Sequence, residues 1–187
     1  MRAFVAIELN DEVRRGVGRI QDKLSVSGAD VKWVKPKNAH LTLKFLADIS
    51  ETDADSIKGF LDEIAEGTPA FKTAFSHLGF FPNDRRPRVL WVGISEGADD
   101  LKVLAGKIDD KIATLGIPKE KRGFSPHLTL GRIRSGKNLN ELLSLVGSSK
   151  EYEAGELVAG EIHLIQSVLS GSGPTYTKLH TASFSGR

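Results

Sequence analysis

His40-Leu41-Thr42-Leu43 and His127-Leu128-Thr129-Leu130 are the same four residues written twice, 87 positions apart. Side chains alternate between faces along an extended strand. In each copy the His and Thr therefore share one side and the two leucines the other. Each copy predicts a short strand with an apolar back and a front that carries an imidazole and a hydroxyl. The imidazole moves protons near neutral pH, and the hydroxyl donates to anionic oxygen. Two such fronts facing across a groove would form an acid–base pair around a phosphate.

The chain around the two copies follows a repeated order. Arg2–Leu9 is apolar and β-branched, which predicts a buried strand. Asn10-Asp11-Glu12 opens a helix, a capping residue before first-turn acids. Val13, Val17, Ile20 and Leu24 continue it at helical spacing, although Gly16 and Gly18 weaken it. Val31–Val34 is a short strand ended by Pro36, whose ring removes a donor and restricts Lys35. The first motif strand is His40–Leu46. Ser50 caps a second helix, buried along Ile57, Phe60, Leu61 and Ile64 and stopped at Gly67. Ala70–Phe81 and Arg88–Ser95 form a hairpin about the basic turn Pro82-Asn83-Asp84-Arg85-Arg86-Pro87.

Leu101, Leu104, Ile108, Ile112 and Leu115 mark a third helix, ended by Gly116 and Pro118. A basic loop with Lys119, Lys121 and Arg122 runs through Phe124 and Pro126 into the second motif strand, His127–Ile133. Asn138 is a cap for a short helix through Leu139, Leu142, Leu143 and Val146. Tyr152–Leu169 and Tyr176–Phe184 read as two long strands about Ser170-Gly171-Ser172-Gly173-Pro174. Helix, strand, turn and strand follow both motifs, and a helix precedes each. The prediction is an α+β fold of two duplicated lobes, with mixed, mostly antiparallel sheets backed by helices. No linker is disordered enough to separate the lobes, so residues 1–187 are expected to form one bilobal domain.

Composition narrows the classes. The 187 residues are 40% hydrophobic and 27% charged, as in a soluble globular protein. No run approaches the length of a membrane span. The opening MRAFVAIEL, with one basic residue and an early acid, reads as a strand rather than a signal peptide. The absence of cysteine excludes disulfides and thiolate metal sites and fits a cytoplasmic protein. A net charge of +2 is compatible with binding RNA ends without requiring it.

Several chemistries compete for the motif. Two histidines without a matched carboxylate or thiolate make a thin metal shell, so no metal is expected. No Gly-x-Ser-x-Gly turn supports a nucleophilic serine. Ser170–Gly173 lacks the lysine of a phosphate-cradling loop. His77, His163 and His180 lack a Thr two residues on and read as surface or satisfied core positions. On spacing alone, packing strands and catalytic strands both remain open. The matching place of each copy in a duplicated pattern favours catalysis, because symmetry brings like residues together at the lobe interface.

At these residues the chain resembles the two-histidine (2H) phosphoesterases, in particular the RNA 2′,3′-cyclic phosphodiesterase or 2′-5′ RNA ligase-like branch. The resemblance covers nearly the whole length. Beyond both His-x-Thr-x motifs it includes Arg2-Ala3-Phe4-Val5-Ala6-Ile7, Trp33-Val34-x-Pro36, Lys44-Phe45-Leu46, Phe81-Pro82, Arg88–Gly93 and Ser125-Pro126-His127 to Gly131-Arg132. Ala47 departs from it, since relatives usually carry Gly after Phe-Leu.

The resemblance implies a bilobal fold with a central cleft and one motif on each wall. It also implies cofactor-free and metal-independent opening of an RNA 2′,3′-cyclic phosphate to a 2′-phosphate. By analogy His40 is the general acid and His127 the general base. Thr42 and Thr129 would donate to the non-bridging oxygens. Alternation puts Lys44 on the His40 face and gives Arg132 the wrong parity for the His127 face unless the strand bends. Phe124, Phe81 and Trp91 are candidate base-stacking residues. The clusters Arg85-Arg86-x-Arg88 and Lys119–Arg122 are candidates for guiding RNA phosphates. The expected partners are RNA with a cyclic-phosphate end, tRNA fragments among them, or cyclic nucleotides, with no membrane or protein partner. Slow ATP-independent 2′-5′ joining is a further expectation. The rival readings are an RNA-binding or end-joining protein with incidental hydrolysis, and a two-lobe protein whose histidines serve only the core.

Overall fold

The computed structural model describes residues 1–148, 152–171 and 173–186. Strand β1 (Arg2–Glu8) leads into helix α1 (Asp11–Ser25), where the Asn10 side chain accepts a hydrogen bond from the Val13 N–H. Val13, Val17, Ile20 and Leu24 are buried along one side. Gly16 has a packing reason. A Cβ there would lie 1.9 Å from the Ala154 carbonyl oxygen, so the glycine lets the helix seat directly on a strand backbone.

Strand β2 (Val31–Trp33), a 3-10 turn at Pro36–Asn38 and strand β3 (His40–Asp48) follow. Helix α2 (Glu51–Glu66) opens with a reciprocal capping box between Ser50 and Asp53 and ends at Gly67. The predicted hairpin is β4 (Phe71–Phe81) and β5 (Val89–Glu96), with a cis Phe81–Pro82 bond at its turn. Helix α3 (Ala98–Ala113), strand β6 (Leu128–Ile133) and helix α4 (Leu139–Ser148) come next. Strands β7 (Glu153–Ala159), β8 (Glu161–Ser170) and β9 (Gly173–Ser183) complete the order.

Two sheets result, one ordered β3-β1-β8-β9 and the other β2-β6-β5-β4-β7. Every strand pairing among the described residues is antiparallel. The sheets line a central cleft. Helices α2 and α3 cover the outer face of the first sheet, and α1 covers that of the second with α4 packed beside it. One apolar cluster runs through both covered faces, from Val5, Leu41 and Leu164 to Leu90, Leu128 and Ala154. A smaller cluster of Phe4, Ala6 and Ile165, with Tyr176 against it, lies on the opposite face of the four-stranded sheet.

The lobes are not consecutive halves of the chain. After β3 the β4–β5 hairpin joins the second motif strand, and β8–β9 return to flank β1. The expected long strand Tyr152–Leu169 is accordingly two strands that part at Gly160 and enter different sheets. Strand-forming residues continue on both sides of Gly160, although β7 alternates buried and exposed positions and β8 has a continuous buried run over Ile162–Ile165. Asn138 also departs from its expected role. It sits at φ +49°, and its side-chain amide donates to the Gly28 carbonyl at 3.2 Å instead of capping α4. Ser172 of the expected C-terminal turn lies outside the described residues.

Candidate active site

Each motif strand carries a bulge at the same residue of the tetrapeptide. Opposite β1, Thr42 pairs with Ala6 and Lys44 with Val5, which leaves Leu43 unpaired. Opposite β5, Thr129 pairs with Trp91 and Gly131 with Leu90, which leaves Leu130 unpaired. An extra residue in one strand inverts the facing of everything beyond it. The bulge therefore overturns the placement of Lys44 beside His40. Lys44 is on the covered face, nearly fully buried and ion-paired with Asp109 of α3, and it donates to the Pro118 carbonyl at 3.0 Å. Phe45 takes the cleft side, 69% exposed, with its ring 6.2 Å from Phe4.

The same slip in the second copy turns Arg132 onto the face of His127, opposite Val89. The Leu130 carbonyl at the bulge accepts from the Val34 N–H at 2.9 Å and from the buried Gln21 side chain at 2.9 Å. Gln21 was legible as a polar residue on the apolar stripe of α1, though its partner was not.

The two imidazoles are held alike. His40 Nδ1 lies 2.8 Å from the Asn38 carbonyl oxygen, and His127 Nδ1 lies 2.7 Å from that of Ser125. A carbonyl only accepts, so Nδ1 carries the proton in both rings and Nε2 is left to take or give one. Nε2 has no hydrogen-bond partner in either ring among the described residues. An aromatic edge or face braces each ring. His40 meets Tyr176 at 5.1 Å and Phe4 at 5.7 Å, and His127 meets Phe81 at 4.8 Å.

Burial is the largest influence on both rings and pushes their pKa values below the usual imidazole range. The charges then differ. Glu8, directly across β1 from His40, favours the protonated ring, and Arg14 and Lys178 oppose it. Arg132 disfavours protonation of His127. Arg132 also acts on Tyr176, the residue packed against His40. One guanidinium on the second motif strand is thus close enough to influence groups on both walls.

The remaining sequence candidates separate. Thr42 and Thr129 are half-buried on the inner faces, each opposite a β1 or β5 residue as given above. Trp91 joins the His127 side, 5.2 Å from Phe81, and its indole Nε1 is buried without a hydrogen-bond partner among the described residues. Phe124 instead packs against the main core. His163 is buried, bonded to Thr181 at 3.0 Å, and His180 bonds Asp62 of α2 at 2.7 Å. His77 is exposed in a β4 bulge, edge-on to Trp91 at 6.0 Å. Tyr176, Phe4, Glu8 and Arg14 were missed because only the fold brings them to His40. Among the described residues no three His, Asp or Glu side chains converge as a metal-binding group, and no helix is long and apolar enough to cross a membrane.

A family model for LigT-like phosphoesterases matches the chain twice, over residues 7–91 and 92–176. The chain belongs to this family, the two-histidine phosphoesterases. The double match agrees with the duplication seen in the motif strands. An RNA 2′,3′-cyclic phosphodiesterase of Aquifex aeolicus is 41% identical over 182 residues, covering 95% of this chain and 94% of the relative. Another, from Methanothermobacter thermautotrophicus, is 35% identical over 179 residues, 96% of each chain. A crystal structure of a Thermus thermophilus protein superposes with a TM-score of 0.84 at 27% identity, covering 100% of both chains. Escherichia coli LigT complexed with 3′-AMP shares the fold, with a TM-score of 0.80 at 23% identity over 98% of this chain and 97% of that one.

Proposed function

We propose that this chain is a hydrolase that opens RNA 2′,3′-cyclic phosphate ends to 2′-phosphates by two-histidine acid–base catalysis. The observation that carries the reading is the pair of matched imidazoles, each with Nδ1–H tied to a carbonyl and Nε2 unengaged, together with Arg132 acting on both His127 and Tyr176. His127 Nε2 takes a proton from water as the water oxygen attacks phosphorus. The P–O3′ bond breaks, and His40 Nε2 gives its proton to the departing O3′. In-line displacement puts these events on opposite sides of the phosphate, which suits one histidine per wall. Glu8 favours a charged His40 and Arg132 a neutral His127, which supports His40 as acid and His127 as base.

Thr42, Thr129 and Arg132 hold the non-bridging oxygens, and Phe81 and Trp91 offer faces to a base. Residues 1–187 act as one bilobal domain with a motif on each wall, working in the cytoplasm without a cofactor. tRNA fragments are among the substrates. With the 5′-hydroxyl of a second RNA end in place of water, the same attack forms an O5′–P bond as P–O3′ breaks and O3′ takes a proton, which leaves a 2′-5′ linkage without ATP.

The test is incubation of 2′,3′-cyclic AMP and of RNA with a cyclic-phosphate end, with and without a chelator, the products being separated by chromatography. A 2′-phosphate product, formed at an unchanged rate with chelator, is expected. His40→Ala and His127→Ala should each lose about 10²–10⁴-fold, the usual range for a proton-transfer group. Wild-type rates in both variants, or loss of activity to the chelator, refute the mechanism. RNA binding without turnover would favour the end-binding alternative.

A further inference from the structure

We propose that a pocket beside His127 is a subsite for the nucleotide one step upstream of the one that carries the cyclic phosphate, with Arg88 and Arg122 holding the phosphodiester that joins the two. The inference rests on the cyclic-phosphodiesterase reading and adds to it a preference for RNA ends over mononucleotides. The pocket measures about 470 Å³ and is lined by Phe81, Pro82, Val89, Arg88 and Arg122. Two basic stretches far apart in sequence, the β4–β5 turn and the loop before β6, meet there.

The pocket continues the site directly. Its Phe81 has its ring centroid 4.8 Å from that of His127, and its Val89 is the cross-strand partner of Arg132. Its walls are anchored. Arg88 N–H bonds the Phe81 carbonyl at 2.8 Å, and the Arg88 carbonyl accepts from Ile133 N–H at 2.9 Å. On the other side, Lys44 holds the Pro118 carbonyl and Asp109 accepts from the Glu120 N–H at 3.3 Å. A Glu120 carboxylate oxygen in turn accepts from the Arg122 N–H at 3.3 Å.

The charges are available. Lys119 in the same loop is ion-paired with Asp110 at 2.6 Å. Neither the Arg88 nor the Arg122 guanidinium has an ion pair or hydrogen bond among the described residues. Two guanidiniums without an ion pair among the described residues, lining one pocket with an aromatic ring and a proline, match a phosphodiester with its adjoining base. Guanidinium presents parallel donors to phosphate oxygens and also stacks on flat faces. A cyclic mononucleotide has one phosphate, which the two histidines occupy, so it leaves this pocket unused. An RNA end supplies the second phosphate.

The experiment compares wild type with Arg88→Ala, Arg122→Ala and the double variant on 2′,3′-cyclic AMP and on a short oligoribonucleotide with a cyclic-phosphate end. In the double variant the ratio of kcat/KM, oligonucleotide to mononucleotide, should fall about 10- to 100-fold, through KM, the range expected for lost charged hydrogen bonds. The salt dependence on the oligonucleotide should become shallower by about 0.7 in log–log slope for the one phosphate released. An unchanged ratio overturns the proposal, whether both rates hold or both fall together. Anisotropy with a fluorescent oligoribonucleotide ending in a 2′-phosphate reads the pocket without turnover. A raised Kd in the double variant supports the subsite even if neither substrate is cleaved, in which case only the catalytic reading fails. An unchanged Kd overturns the subsite.

Discussion

Strict alternation would put Lys44 in the site and Arg132 outside it, and the bulges at Leu43 and Leu130 reverse both placements. Lys44→Met and Arg132→Gln test that reversal. Methionine keeps most of the buried stem and removes the charge. The Lys44 side chain is 5% exposed and loses two partners, Asp109 and the Pro118 carbonyl. Removing one member of a fully buried pair costs about 3–5 kcal/mol. Asp109 is 21% exposed and retains the Glu120 N–H, so water and a remaining donor offset part of this. About 2 kcal/mol remains, and at about 2–4 °C per kcal/mol for a chain of this size Tm should fall roughly 4–8 °C. Arg132→Gln removes no ion pair among the described residues and should leave Tm within about 2 °C. It should lower kcat/KM on 2′,3′-cyclic AMP about 10- to 100-fold, as for a charged hydrogen bond to a phosphate oxygen. Thermal unfolding by circular dichroism and initial rates at 20 °C separate the two outcomes. If Lys44→Met costs as much kcat/KM as Arg132→Gln while still folded, the assignment of faces is wrong.

Further predictions concern the acid–base pair, its hydroxyls and one backbone position. The acid must be protonated and the base neutral, so activity is lost above the pKa of His40 and below that of His127. Burial lowers both, and the kcat/KM profile should centre below about 6.5, the ordinary imidazole value. Glu8→Gln removes the charge that raises His40, so the alkaline limb alone should move to lower pH; movement of the acid limb instead would exchange the two roles. Thr42→Val and Thr129→Val keep shape but lose a donor, and each should reduce kcat/KM about tenfold in initial-rate assays. Unchanged values would leave the threonines a packing role. Ala47 occupies φ +57° at the second irregularity of β3, a conformation unfavourable for any residue with a Cβ. Ala47→Gly should therefore raise Tm by about 2–4 °C, for about 1 kcal/mol of relieved strain, and a fall in Tm would contradict that.

Local signals carried most of the fold. The caps at Asn10 and Ser50, the apolar stripes of α1, α2 and α3, and the turn at Pro82–Pro87 each act over a few residues and were readable as such. Repetition alone put the two histidines and two threonines forward as candidates. What could not be read is non-local. A run of strand-forming residues on both sides of Gly160 does not show that its two parts enter different sheets. A bulge depends on what the neighbouring strand offers, and the Leu130 bulge depends also on a donor 109 residues away in Gln21. Ala47 was the exception, because the resemblance marked a glycine there and a positive φ is the reason such a glycine would be favoured.

The duplication explains why the site is symmetric in its histidines and asymmetric in everything that surrounds them. Both copies have the bulge at the fourth residue of the tetrapeptide, so the fifth residue beyond each histidine turns inward, Phe45 in one copy and Arg132 in the other. The covered positions diverge in the same way, with Lys44 tied to α3 and Gly131 beneath the Val31 and Trp33 side chains. One backbone device thus delivers an aromatic ring to the His40 wall and a guanidinium to the His127 wall. Burial lowers both imidazoles, and the charges around them differ: Arg132 disfavours protonation of His127, while at His40 the Glu8 carboxylate favours it against Arg14 and Lys178. Acid–base catalysis across a single phosphate uses one protonated and one neutral ring, and unlike surroundings favour one assignment of those two states over the other.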